Sequence, residues 1–308
     1  MAIGEILNSL AVILIMISPG FVLGKMKIFQ KPFFSGLSSF TINLCVPALI
    51  INALQVEYTP VLMEGLAKTF LFWIPMLFVS AILAFIFTKI FKASKKEFVL
   101  TASMLMISNT GFVGIPLINQ LYGNDGLFYA SASEIVGDIF LFSIVFAMIS
   151  SASGKSKKVD FKAMALNPPI IALVIGIFLF VANIRLPEVL ATPISYFSTA
   201  TTPLALFILG SQLSAITLKD FFCDKRIYFV CALRLIIMPI IAFIMVRLIF
   251  GDTSLFSTIF ILTMGMPAAS ITVIFAQSSN CDVDFATKGV LLSTAFCLLT
   301  LPVFAYLV

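Results

Sequence analysis

Ten stretches of this chain are each apolar over roughly the 20 residues that a helix needs to cross the hydrocarbon core of a membrane. Their limits are 5–24, 33–55, 63–91, 97–121, 126–150, 167–183, 194–216, 226–250, 254–279 and 285–307, each bounded by charges or turn formers. Of the 308 residues 61% are hydrophobic and 11% charged, where soluble domains carry about a quarter charged. Inside a bilayer the backbone must satisfy its own hydrogen bonds, and runs of this length do so as helices. The expected fold is an all-α integral membrane protein of ten transmembrane helices.

Several chemistries drop out at once. The chain has no histidine, the commonest general base and transition-metal ligand. Its five cysteines are an odd number with no CxxC spacing, so neither a disulfide framework nor a metal site is expected. No GxxxxGK[ST] phosphate loop occurs, which disfavours ATP-driven work by this chain. No enzyme activity, cofactor, metal or nucleic-acid partner is expected, because the net charge of +5 is spread over loops rather than gathered among aromatics.

Lysine and arginine collect on the cytoplasmic side of membrane proteins. Fifteen of the nineteen fall in the loops after odd-numbered spans, among them Lys25, Lys27, Lys31, Lys155, Lys157, Lys158, Lys162 and Lys219. Both termini are therefore expected on the non-cytoplasmic face of the cell membrane. The first span follows Glu5 rather than the positive segment of a signal peptide, so it is expected to be a retained helix.

The polar run Ser151–Lys162 divides the spans five and five: a first repeat over 1–150, a cytoplasmic linker over 151–166 and a second repeat over 167–308. Prolines match across the halves, Pro47 with Pro203, Pro75 with Pro239 and Pro116 with Pro267. An odd number of spans per half inverts the second repeat, and inverted repeats with interrupted helices mark secondary transporters.

The fourth and ninth spans carry the clearest interruptions. Pro116 lacks an N–H and its ring collides with the Phe112 carbonyl; Pro267 does the same to Thr263. Gly114 and Gly265 stand nearby, so Gly114, Pro116, Gly265 and Pro267 are the expected helix-break residues. Both breaks fall near mid-membrane, where freed backbone groups are tolerated only against protein or a water-filled cavity. The helix N-termini exposed there favour an anion.

Three ionisable residues lie well inside spans: Glu134 and Asp138, one turn apart in the fifth, and Arg234 in the eighth. A charge at that depth needs a partner or a purpose. The acids are candidates for coupling to H+ or Na+. Arg234 either draws in a substrate carboxylate or forms a permanent ion pair with Asp138.

At this point a family resemblance becomes specific. Asn109-Thr110, Gly114-Ile115-Pro116-Leu117 and Tyr122-Gly123 resemble the fourth-span motif of the auxin efflux carrier family, and the chain is similar to its prokaryotic members and to the plant PIN carriers. Pro267, Phe275-Ala276, Asn280, Asp284, Ser293-Thr294, Leu301-Pro302 and Val46-Pro47 fit the same pattern. The resemblance implies a fold like that of sodium/proton antiporters and bile-acid symporters. Spans 3–5 and 8–10 would form a mobile transport domain, and spans 1, 2, 6 and 7 a scaffold that forms a homodimer.

It further implies elevator-type transport of a small organic anion such as malonate, malate or, in plants, indole acetic acid. Ala268, Ala269 and Ser270 replace the larger polar residue of the plant carriers, which argues against indole acetic acid. Expected substrate contacts are Ser108, Asn109, Thr110, Gly111, Pro267, Ala268, Ala269 and Ser270, with Asn43 and Val46 from the scaffold; an interhelical hydrogen bond is the alternative for Asn43. The competing functions are a sodium- or proton-coupled cation antiporter using Asp138, and a transporter-like membrane sensor.

Overall fold

The computed structural model describes residues 3–29, 31–145, 148, 166–217, 224–278 and 281–308. The expected linker over 151–166, except its last residue Leu166, and Lys219 and Asn280 lie outside the described residues. The described chain is helical, with no strand; a single antiparallel backbone bridge joins Ser108 and Ala268.

In chain order the helices are α1 (Ile3–Lys25), α2 (Lys31–Phe40), α3 (Val46–Ala53), α4 (Pro60–Phe91), α5 (Lys95–Met106), α6 (Ile115–Phe140) and α7 (Pro168–Val181). They continue as α8 (Glu188–Ser214), α9 (Lys225–Ala232), α10 (Met238–Phe243), α11 (Leu255–Met264), α12 (Ile271–Ser278) and α13 (Val283–Leu307). Among the described residues five continuous helical runs are long and apolar enough to cross a membrane: 32–53, α4, α8, 225–249 and α13. Shorter apolar helices include α7 and α11.

The surface of α4 shows what surrounds it. Leu71, Ile74, Phe78, Ile82 and Phe85, three or four residues apart, form one stripe, and Phe78 is 67% exposed. A stripe of this spacing is one helix face, and a contiguous apolar face that large marks contact with an apolar medium. The protein is an integral membrane protein.

Prolines leave a recurring local signature. Five-residue π-helical turns occupy Thr41–Cys45, Thr110–Gly114 and Leu233–Ile237, and each ends two residues before a proline: Pro47, Pro116 and Pro239. Proline cannot donate to the ladder and its ring crowds the carbonyl four residues back. A π turn inserts one extra residue and opens the ladder at that place. The matched prolines Pro203 and Pro75 instead sit inside the continuous helices α8 and α4, so sequence partners in the two halves are accommodated differently.

Contacts divide the chain into two compact units. The first comprises Met1–Thr69, Gly111–Ile135 and Lys162–Ala215. Its seam is α1 against α8, where a Cβ added to Gly20 would lie 1.9 Å from the Phe207 carbonyl oxygen and one at Gly210 would lie 2.1 Å from that of Ile17. Small residues at membrane helix interfaces allow this approach, and packing then holds the helices together. Phe180 anchors another part of the unit, its ring 5.2 Å from Phe128 and 5.4 Å from Tyr58. Gly123 breaks the helical dihedrals within α6 (φ 60°, ψ −150°), a conformation open to glycine alone.

The second unit comprises Phe70–Thr110, Val136–Phe161 and Ile216–Val308. Its core brings Phe87, Leu100 and Met104 onto Val230, Phe285 and Val290. At one end of this unit α5 starts with a capping box, Ser94 accepting from the Glu97 N–H while Glu97 accepts from the Ser94 N–H. Arg226 ties that start to α9: its guanidinium donates to Glu97 and, at 2.5 Å, to Asp224, the residue that caps α9. The same guanidinium lies over the Phe285 ring at the start of α13.

Candidate functional site

The site is built where two helices stop short within the second unit. α5 ends at Met106, Ile107 turns to extended dihedrals (φ −104°, ψ 120°), and helical structure resumes at Thr110. α11 ends at Met264 under Gly265, and α12 begins at Ile271. Each interruption strands carbonyls on one side and N–H groups on the other.

The two interrupted segments pair with each other. Asn109 N–H donates to Pro267 O (2.8 Å) and Ala269 N–H donates to Ile107 O (3.2 Å), on either side of the Ser108–Ala268 bridge. Pro267 has no N–H of its own, so it takes part through its carbonyl alone. Ala268 N–H donates to Ser293 Oγ (3.2 Å), and Ser108 Oγ donates to Thr263 O (3.0 Å). Thr263 O is the carbonyl with which the Pro267 ring was expected to collide; the unwound chain gives it a hydroxyl partner instead.

Arg234 lies at the centre of this arrangement and is fully buried. Its Nε donates to Met266 O (2.8 Å), Nη1 to Leu105 O (2.6 Å) and Nη2 to Ser108 Oγ. Among the described residues no carboxylate pairs with it, so the ion pair with Asp138 is not formed. The physical reason is local: the carbonyl ends of two broken helices already supply the negative pole.

The expected residues fall into clear groups. Ser108, Asn109, Pro267, Ala268 and Ala269 meet at the bridge, and Ser108, Asn109, Ala268 and Ala269 are no more than 7% exposed. The Asn109 Nδ2 and Ser270 Oγ atoms are buried without a hydrogen-bond partner, and Thr110 is 1% exposed. Ten or more buried polar groups normally find partners for each that does not, so such orphans ask for an explanation.

The helix-break expectation needs correction on one side. Gly265 and Pro267 do lie at an interruption, whereas Gly114 closes a π turn and Pro116 is the second residue of α6. The unwound residues in that span are Ile107–Asn109, because the π turn absorbs the Pro116 ring and the backbone upstream is drawn into the pairing with Pro267 and Ala269.

In the first unit, Gly111 faces the half-buried Glu134: a Cβ at position 111 would come 2.9 Å from Glu134 Oε1. Asp138, in the second unit, is half-buried. Asn43 is exposed and its amide donates one turn back to Ser39 O (2.8 Å), with no interhelical bond among the described residues; Val46 is buried. Ser293, quoted from the sequence for the family resemblance and not as a contact, belongs to the site, as does the Leu105 carbonyl, which was not singled out. Among the described residues no group of three metal-ligating side chains forms.

The sequence matches the family described as Membrane transport protein across residues 5–305. An uncharacterized transporter of Methanocaldococcus jannaschii is 25% identical over 302 residues, spanning 96% of each chain. One from Methanothermobacter thermautotrophicus is 26% identical over 300 residues, spanning 95% of each. The uncharacterized transporter YfdV of Escherichia coli is 23% identical over 316 residues, spanning 99% of this chain and 96% of its own. With a match over nearly its whole length, the chain belongs to the membrane transport protein family, that of the auxin efflux carriers, and is a transporter rather than an enzyme.

Proposed function

We propose that this transporter is a secondary carrier for a small organic anion, a mono- or dicarboxylate. The observation that carries the reading is the pair of buried, unpartnered donors, Asn109 Nδ2 and Ser270 Oγ, beside the paired helix breaks. A carboxylate accepts from such donors and is favoured at the positive helix ends that begin near Thr110 and Ile271. Ser108, Asn109, Thr110, Pro267, Ala268, Ala269 and Ser270 form the anion site in this reading.

The wider architecture belongs to the same proposal. Ten spans form two inverted five-helix repeats in the cell membrane, with both termini on the non-cytoplasmic side. Spans 3–5 and 8–10 move elevator-fashion past a dimeric scaffold of spans 1, 2, 6 and 7. Glu134 and Asp138 are the candidates for coupling to H+ or Na+.

The test is uptake of labelled acetate, malonate, succinate and malate into proteoliposomes under imposed pH and sodium gradients. Saturable uptake of at least one carboxylate, reduced about tenfold or more by Asn109→Ala, is expected, the scale of losing a hydrogen bond to a charged ligand. Uptake unaffected by collapsing both gradients would remove coupling from Glu134 and Asp138. No carboxylate flux, together with sodium-driven proton exchange that Asp138→Asn abolishes, would replace the proposal with a cation antiporter.

A further inference from the structure

Arg234 is the one arginine whose three guanidinium nitrogens are each accounted for by acceptors at the helix breaks, and it is fully buried. Two of those acceptors are main-chain carbonyls. Leu105 O belongs to the last turn of α5, and Met266 O lies just past the end of α11. The third, Ser108 Oγ, passes the polarisation on by donating to Thr263 O in the last turn of α11. Arg234 therefore serves the carbonyl ends of both broken helices.

The charge arithmetic of the crossing gives this placement a meaning. Each broken helix brings a carbonyl end worth about −0.5 charge and a resumed N–H end worth about +0.5. Two breaks paired side by side thus sum to nearly nothing, and a neutral crossing has no preference for an anion over a cation. One guanidinium placed on the two carbonyl ends cancels about −1. What remains is positive, on the side where Asn109 Nδ2 and Ser270 Oγ lie without partners.

We propose that Arg234 is the positioning residue that gives the crossing its sign: it cancels the carbonyl ends of both broken helices and holds Ser108 in place, so that the site prefers an anion that Arg234 itself does not touch. This rests on the reading of the crossing as an anion site. It separates Arg234 from a direct ligand, which would discriminate dianions from monoanions by contact, and from a purely structural buried residue.

Arg234→Lys and Arg234→Met in proteoliposomes test the proposal, with uptake expressed per folded carrier and [14C]malonate and [14C]acetate as probes. Arg234→Met is expected to raise KM about tenfold or more for whichever probes the native chain carries, and at least as much for dianionic malonate as for acetate, since a lost charge acts in proportion to the charge of the ligand. Arg234→Lys, which keeps the charge, is expected to recover most of that loss.

A KM in Arg234→Met equal to the native value would overturn the proposal, as would a malonate-to-acetate preference altered about tenfold in Arg234→Lys, the mark of a lost direct contact.

A second readout needs no transported substrate. In Ser270→Cys, with the native chain and its five cysteines giving the background rate, an anionic methanethiosulfonate is expected to modify the new thiol faster than a cationic one of similar size. Adding Arg234→Lys should keep that preference and Arg234→Met should lose or reverse it. If the native chain carries no carboxylate, the anion-carrier reading falls, and this charge preference alone decides the role of Arg234. Should Arg234→Met fail to fold, Arg234→Gln takes its place in both assays. An equal preference in Ser270→Cys with Arg234 and in Ser270→Cys with the neutral substitution overturns the proposal.

Discussion

At Gly20 the backbone of α1 approaches Phe207 so closely that no side chain fits between them, and the contact contains no charge. At Ser108, in the other unit, two interrupted segments are joined by hydrogen bonds around a buried guanidinium. Both arrangements bring backbones together in an apolar solvent. The first does so with helices whose hydrogen bonds are already complete, so that shape alone decides. The second leaves backbone groups to be satisfied from outside the helix, and a polar network is the consequence. Contacts of the first kind tolerate no added volume, and those of the second tolerate no lost partner.

Substitutions that add volume in one place and remove a partner in the other sharpen this contrast. The largest effect is expected from Gly210→Val, because an added Cβ meets the Ile17 carbonyl oxygen at 2.1 Å and the Phe21 nitrogen at 2.7 Å, and backbone atoms cannot swing aside. A loss of ~3 kcal/mol or more, the upper part of the range for overpacking, should appear as a strongly lowered unfolding temperature in detergent. An unchanged temperature would mean that the α1–α8 seam is not close-packed.

Ser293→Ala is expected to cost about 1–3 kcal/mol, since it orphans the buried Ala268 N–H. Amide exchange at Ala268 should accelerate while residues of the α1–α8 seam stay protected. Equal acceleration in both places would erase the distinction between the two kinds of contact.

The smallest effect concerns the end of the second unit. The Arg226 N–H and then its guanidinium hold the Asp224 carboxyl below the usual carboxylate range. A lowered folded value means that this stabilisation is present above ~pH 4 and is lost as pH falls through the lowered value. Asp224 is partly exposed, so Asp224→Asn should cost less than about 1 kcal/mol at neutral pH. The difference between variant and native stability should vanish in acid, and a difference that persists there would show a role other than charge.

How far the sequence told this story varies by residue. Apolar runs mark a helical chain, and Pro267 and Gly265 lie at one interruption. Pro116 pointed a few residues too far along the chain, because a proline reports where a helix is stressed and not how the stress is relieved; a π turn relieved it there, and Ile107–Asn109 unwound for the sake of pairing. Arg234 stood out as a charge at depth, yet its partners were illegible. Every residue carries a carbonyl, so no letter marks Leu105 or Met266 as an acceptor. Asn43 was a polar residue in an apolar span, and a side-chain amide satisfies itself equally well on its own helix, as here on Ser39 O, or on a neighbour, with nothing in the residue type to tell the two apart.

Arg234 also lies inside the π turn Leu233–Ile237 that precedes Pro239. One residue more or less in a helix rotates everything beyond it by about 100°. The heading of this guanidinium is thus tied to an amide hydrogen that Pro239 does not have, and trimming a single residue from Leu233–Ile237 would turn the rest of the 225–249 helix like a key out of its lock without altering a single side chain that remains.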